Sequence, residues 1–352
     1  MLLYVHIPFC SSKCGYCAFN SYVGTQELYG QYIKALCQDL HQSLKAHNYP
    51  EITSVFFGGG TPNLLDFRFY DKVFESFLPY VSRDCEITLE CNVNLLRLDW
   101  CKHLKTLGAN RLSIGVQSFS GNKLTFLERE HKVSDIFQAY EHPYNAGFRN
   151  LGCDIIIGTP LDTKSILEQE IHSLAKLPLT HVSVYELSID EGSRFANDSR
   201  RIESPQENLG IFMREGLSAL GFEQYEVSNY AKEQYYCKHN LGYWEAKEYI
   251  GCGAGAFSRI GTIRSMASKA LQAYIQNPHQ RKLEVLNPCD LRVEEIMLGL
   301  RCKSGVRKNL LDSHKCQELI DSHILRCEQH QGESFILANE LFLADEIALR
   351  LI

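Results

Sequence analysis

The stretch Tyr4 to Tyr22, YVHIPFCSSKCGYCAFNSY, decides how the chain is read, because Cys10, Cys14 and Cys17 stand four and then three residues apart within it. A loop with those spacings can wrap one small inorganic cluster. Each thiolate takes a different iron of a [4Fe–4S] cube, and the fourth iron is left without a protein ligand. That open iron is where chemistry would take place. The residues ahead of the loop, Leu2 to Phe9, are mostly apolar and β-favouring, and they read as a buried strand delivering it to one end of a sheet. A zinc loop or three unrelated thiols are the plain alternatives. Zinc sites usually pair their ligands as C-x2-C with a second pair or histidines further on, and no such regular spacing follows here.

Composition narrows the setting. With 352 residues, 45% hydrophobic and 22% charged, the chain can bury a large core and is long enough for one big domain plus a small one. Fourteen cysteines behind an MLLYVHIP start, with no secretory leader pattern, predict a thiol-rich cytoplasmic protein rather than a disulfide scaffold. No run of eighteen apolar residues exists, so a membrane span is not expected, whereas peripheral membrane contact stays open. A net charge of −6 argues against nucleic acid as the main partner, since phosphate neutralisation needs clustered Lys and Arg.

Strand-like runs recur at Ile52–Phe57, Cys85–Cys91, Arg111–Phe119, Cys153–Ile157 and Val182–Ile189. Helical periodicity fills the intervals, at Gln26–Ala46, Phe67–Val81, Leu96–Leu107, Val133–Ala146, Ser165–Leu177 and Pro205–Leu220. Such alternation predicts βαβ units and a parallel sheet whose ligands sit at the carboxyl ends of the strands. Periodicity alone does not separate an open doubly wound sheet from a barrel. Beyond Arg281 the pattern changes: a helix ends near Gly305, and the tail reads as helix, short strand, helix.

CxxxCxxC at the mouth of a first strand, flanked by YVHIPFC, resembles the radical S-adenosylmethionine (radical SAM) superfamily and, within it, the HemN/HemW branch. The resemblance implies an α/β fold, a partial (β/α)6 barrel over residues 1–284 and a small C-terminal α+β domain over 285–352. It implies that Cys10, Cys14 and Cys17 hold a [4Fe–4S] cluster whose open iron binds S-adenosylmethionine, giving a 5′-deoxyadenosyl radical on reduction. Gly59, Gly60 and Thr61 match the GGTP motif. Glu90, Gln117, Arg129 and Asp154 match further cofactor contacts, Tyr4 and Tyr16 align with contacts of the first strand and cluster loop, and Ser188 matches more weakly.

The residues have their own chemistry beside this. Glycines let backbone N–H and C=O groups approach a ligand, although GGGTP after a strand also serves as a tight turn. Glu90 at a strand end needs a partner or water, a carboxylate suits ribose hydroxyls or an ammonium, and Arg129 offers a fork for a carboxylate.

Two readings of function remain. HemN carries a fourth cysteine two residues after the third, where this chain has Phe19, and a long segment ahead of its first strand, where only Met1 to Leu3 precede Tyr4. Both features favour HemW, as does His239-Asn240-x-x-Tyr243-Trp244, the HNxxYW signature associated with haem. Imidazole can ligate haem iron while aromatic rings stack on porphyrin, but a Tyr–Trp pair also serves ordinary core packing. The first reading is a chaperone that binds the cluster, S-adenosylmethionine and haem b and passes haem to respiratory membrane proteins. The alternative is an oxygen-independent coproporphyrinogen III oxidase of porphyrin biosynthesis, converting propionates to vinyls. The other eleven cysteines, Cys237 among them, are scattered singly and read as small buried apolar residues. GCGAGAFS at Gly251–Ser258 lacks the context of a dinucleotide fingerprint and predicts close backbone packing.

Overall fold

A computed structural model describes residues 1–197, 209–330 and 332–352. Strands β1 (Leu2–Ile7), β2 (Ile52–Gly59), β3 (Val81–Asn92), β4 (Arg111–Gln117), β5 (Asn150–Ile157) and β6 (His181–Glu186) lie side by side in chain order, every neighbouring pair parallel. The connections carry helices α1 (Tyr29–Ala46), α2 (Phe69–Glu75), α3 (Leu98–Leu107), α4 (Gly121–Phe126), α5 (Val133–Asn145) and α6 (Lys164–Leu174). This is the α/β arrangement that the alternating pattern predicts, because parallel neighbours need a crossover long enough for a helix. Helix α7 (Leu209–Ala219) follows; of the expected helix Pro205–Leu220, residues 205–208 lie outside the described residues.

The sheet extends past these six strands on both sides. Short β7 (Glu223–Gln224) and β8 (Asn229–Ala231) add antiparallel to β6. After α8 (Lys238–Trp244), β9 (Tyr249–Cys252) pairs parallel with β1, and β10 (Phe257–Ile260), β11 (Ile263–Ala267) and β12 (Arg281–Val285) continue antiparallel, with α9 (Leu271–Gln276) between the last two. The GCGAG turn packs backbone on backbone: a Cβ on Gly251 would stand 1.8 Å from Phe257 O, and one on Gly253 2.6 Å from His6 O.

Alternation along the parallel strands sorts the side chains. Leu3, Val5, Ile7, Val55, Phe57, Ile87, Leu89, Leu112 and Ile114 point into a core shared with the helices. The intervening residues, among them Phe56, Glu90, Ser113, Gln117, Asp154 and Ser183, face the other side, where they line a cavity. Side chains of period two thus give a dry helix-facing layer and a polar inner surface.

Past β12 come α10 (Pro288–Gly299), β13 (Val306–Arg307), α11 (Ser313–Asp321), β14 (Leu325–His330), β15 (Glu333–Ala338) and α12 (Ala344–Leu351), built round a second core that includes Ile296, Leu300, Ile336 and Leu351. Two expectations change. The helix expected to run to about Gly305 ends at Gly299, where a Cβ would sit 2.7 Å from Gly305 O as the chain turns back on itself. The expected short strand is a hairpin, β14 pairing antiparallel with β15. The first strand, β14, was hidden by its polar LRCEQH sequence, whose residues after Leu325 are exposed and carry no hydrophobic alternation.

Candidate functional site

The carboxyl ends of the parallel strands surround a cavity of ≈ 530 Å³, within the range of small-molecule sites. Its wall brings together Cys10, Cys14, Tyr16, Cys17, Gly59, Gly60, Thr61, Glu90, Gln117, Arg129, Asp154 and Ser188. Residues from five strand ends and the β6–α7 connection, up to 178 residues apart from Cys10 to Ser188, converge there.

The thiol loop is closed at its base by main chain: Cys10 N donates to Tyr22 O at 3.0 Å and Tyr22 N to Pro8 O at 2.7 Å. The Asn20 amide anchors the far side, reaching Ala254 O at 3.0 Å and Lys269 O at 3.1 Å. All three loop cysteines are partly buried free thiols, and burial pushes the Cys10 and Cys17 thiols above their ordinary range. Thr61 Oγ1 lies 3.6 Å from Cys10 Sγ and Arg129 Nη1 3.5 Å from Cys14 Sγ, so donors stand ready for thiolate charge. Among the described residues no three His, Cys, Asp or Glu side chains are gathered tightly enough to hold a single metal ion. A cube asks for a looser arrangement, because each thiolate meets its own iron. Three thiols on one short loop, with a cavity beside them, fit that requirement.

The glycine run works by close approach. At Gly59, φ is +109°, and a Cβ there would lie 2.2 Å from the His6 ring; at Gly60 one would lie 2.7 Å from Phe9 O. The missing side chains let the end of β2 press against β1 and the thiol loop, while Gly60 N and Thr61 N donate to Ile7 O and Phe9 O at 2.8 and 2.7 Å. Gly59 N donates to Glu90 Oε2 at 3.1 Å. Glu90 is held up at a pKa of about 7, first by burial and then by its neighbour Asp154, against which the Gly59 N–H acts. Burial also raises Asp154, opposed by hydroxyl hydrogen bonds from Ser183 and Ser113, the latter at 3.0 Å. Two carboxyls held back from ionising on one wall form a receptor for cationic and hydroxyl groups.

Opposite them, Arg129 Nη2 donates to Asn92 Oδ1 at 2.8 Å and Gly115 O at 3.1 Å, and its buried Nε has no partner among the described residues. Gln117 adopts φ +67°, an uncommon conformation for a non-glycine residue, at the point where the β4–β5 register shifts. Its amide folds back over Gly115, where a Cβ would stand only 2.8 Å from Nε2.

Two sequence-predicted residues lie off this wall. Tyr4 does not line the cavity; its hydroxyl bonds His6 Nδ1 at 3.0 Å, and His6 Nε2 bonds Asn20 O at 2.9 Å. It therefore reaches the thiol loop through an intermediary. His239, on α8, is 1% exposed and lies outside the cavity lining. Its Nδ1 bonds Ser54 Oγ at 2.9 Å, its ring stacks on Phe56 at 5.2 Å and meets Tyr243 edge-on at 4.8 Å, and Nε2 has no partner among the described residues. Burial pushes its pKa down to about 3, so the ring is neutral.

Helix α8 closes the lower end of the inner surface. Cys237 Sγ and His239 N both approach Glu86 Oε1, at 3.4 and 3.3 Å, and Glu86 pairs with Arg111 at 3.5 Å with both side chains nearly fully buried. Trp244 donates to Glu226, whose carboxyl is held up to about 7 by burial, and Arg301 lies over the indole at 5.8 Å. Sequence reasoning missed His6, Asn20, Asn92 and Arg111. Their signal is real but faint: each is a polar residue at an inner-facing or loop position, and His6 and Asn92 stand between apolar neighbours.

The geometry agrees with what the chain is similar to. Residues 4–174 match the model of the radical SAM superfamily. The heme chaperone HemW of Bacillus subtilis is 34% identical over 320 residues, 87% of this chain and 84% of that protein. HemW of Escherichia coli is 34% identical over 264 residues, covering 73% and 70%. Coproporphyrinogen III oxidase (HemN) from E. coli, a radical SAM enzyme, superposes with a TM-score of 0.79 at 22% identity, over 99% of this chain and 89% of that one, and so shares the fold.

Proposed function

Because the chain belongs to the HemW family within the radical SAM superfamily, we propose that it is a haem chaperone that retains a radical SAM cofactor site. One observation carries the reading: three loop thiols, a glycine-bounded strand end, two carboxyls with raised pKa and a guanidinium meet round one cavity. Cys10, Cys14 and Cys17 would hold a [4Fe–4S] cluster. Gly59, Gly60, Thr61, Tyr16, Glu90, Gln117, Arg129, Asp154 and Ser188 would hold S-adenosylmethionine, with Tyr4 acting through His6. When bound, the two supply one-electron cleavage of a sulfonium. The protein's part is to orient: Arg129 is placed for a carboxylate, and Glu90 and Asp154 for an ammonium or ribose hydroxyls.

We place the barrel in residues 1–284 and the small α+β domain in 285–352. Haem b is the cargo, passed on to respiratory membrane proteins from the cytoplasm, with peripheral contact at the membrane. Among the described residues no helix is long and apolar enough to cross a membrane. Haem is assigned to the HNxxYW segment. In the tautomer whose proton sits on Nδ1 and bonds Ser54 Oγ, His239 keeps Nε2 as a lone-pair nitrogen, the arrangement that orients a metal-binding imidazole. Phe56 and Tyr243 enclose that ring, so porphyrin reaches it only when α8 swings away.

The reading is tested by anaerobic reconstitution followed by incubation with reductant, S-adenosylmethionine and coproporphyrinogen III. Unchanged porphyrinogen is expected; steady formation of protoporphyrinogen would replace the chaperone by the oxidase. Titration with haem should give a Soret shift that His239→Ala weakens, and an identical titration would move the haem site off α8.

A further inference from the structure

The connection after β6 does more than carry Ser188 to the cavity wall. It runs on across the thiol loop, and Phe195 N donates to Gly15 O at 2.8 Å. The Phe195 ring is 2% exposed although it sits on a surface connection. It fills the place of the side chain that Gly15 lacks: a Cβ there would stand 2.0 Å from Phe195 Cε1 and 2.3 Å from Cδ1. The ring centroid lies 6.5 Å from that of Tyr16 and 5.8 Å from that of Phe126. Next to it, Arg194 pairs with Glu128, the neighbour of Arg129, and donates to Lys13 O at 3.2 Å.

Lys13, Gly15 and Tyr16 lie between and beside the cysteines, and Gly15 is their least restrained residue, because glycine adopts more backbone conformations than any other. The contacts at Gly15 and Lys13 remove that freedom from outside the loop.

We propose that Phe195 is a positioning residue for the thiol loop: its ring, seated on Gly15, fixes Lys13–Tyr16 in the form in which Cys14 and Cys17 face the cavity, and shields that side of the site from solvent. This rests on the cluster reading above for its consequence and on the metal-free protein for its test. A single clamp of this kind predicts coupling across the contact. Removing the ring frees the loop. Adding a methyl at Gly15 expels the ring and frees the loop equally, and the two changes together add nothing further.

The experiment uses the full-length chain. In the metal-free protein, tryptic cleavage after Lys13, followed by mass spectrometry, should speed up roughly tenfold in Phe195→Ala, the change that about 1.4 kcal/mol of lost local protection gives. Gly15→Ala should match it, and the double variant should cleave no faster than either. After anaerobic reconstitution with iron and sulfide, both single variants should lose their visible absorbance in air about tenfold faster than the parent, by the same scaling. Cleavage and bleaching at the parental rate in Phe195→Ala, or a double variant that multiplies the single effects, would overturn the proposal. A parent protein that takes up no iron–sulfur cluster would sink the cluster reading instead, while the cleavage rates still judge the clamp.

Discussion

The two ends of the inner surface are built from the same kinds of residue and arranged in opposite ways. At the upper end, Glu90, Asp154 and Arg129 line the cavity, and burial holds both carboxyls back from ionising. At the lower end, where Arg111, His181 and Cys237 line the same cavity, Glu86 and Arg111 neutralise each other and Tyr225 bonds both His181 and Cys237 N. A carboxylate and a guanidinium on the inner face of such a sheet are therefore not evidence of a site in themselves. A carboxyl left without a close ion pair among the described residues is what separates a receptor from a floor.

The largest effect should fall on the upper end. Replacing Cys10, Cys14 and Cys17 together by serine should abolish the visible absorbance of the reconstituted protein, whereas Cys237→Ser should keep it. Loss of the absorbance in the Cys237 variant would erase the contrast between the two ends.

Next comes the floor. Arg111→Met leaves Glu86 buried without its cation and should cost about 3–5 kcal/mol in denaturant unfolding. A cost near zero would mean that water enters the lower end and that it is no closed network.

The smallest effect sharpens the comparison through pH. Glu90 ionises only near pH 7, above its ordinary range, and a bound cation favours the ionised form, so the complex holds fewer protons than the free protein. Affinity for S-adenosylmethionine should then rise with pH by up to about tenfold per unit below 7 and level off above it, a slope that Glu90→Gln should flatten. Calorimetry in buffers of different ionisation enthalpy would check it, and an unchanged slope in the variant would assign the proton elsewhere.

The fold and the cavity wall were legible in the sequence because both rest on local signals. Strand runs with period two and helices between them announce the parallel sheet, and cysteine spacing, GGGTP and a Glu at a strand end announce the wall. The edge strands were not legible: β10 to β12 are short, half-exposed and only weakly alternating, so their pairing is set by neighbours rather than by composition. The role of Gly15 was invisible for a different reason. Its constraint comes from Phe195, 180 residues on, and nothing near CGYC betrays a ring that arrives from so far away. His239 shows the converse: a recognisable motif whose ring proves to be enclosed, because the fold wraps α8 beneath Phe56.

The backbone bridge between Glu226 and Cys302, with Val227 N donating to Arg301 O and Lys303 N to Tyr225 O, carries a consequence for assembly. Arg214 is likewise paired with Glu340. During synthesis these partners emerge after the residues they hold, so the segment bearing HNxxYW waits, half-tethered, until they arrive to lock it. A nascent chain would pass through a stage with its upper rim complete and its base still ajar.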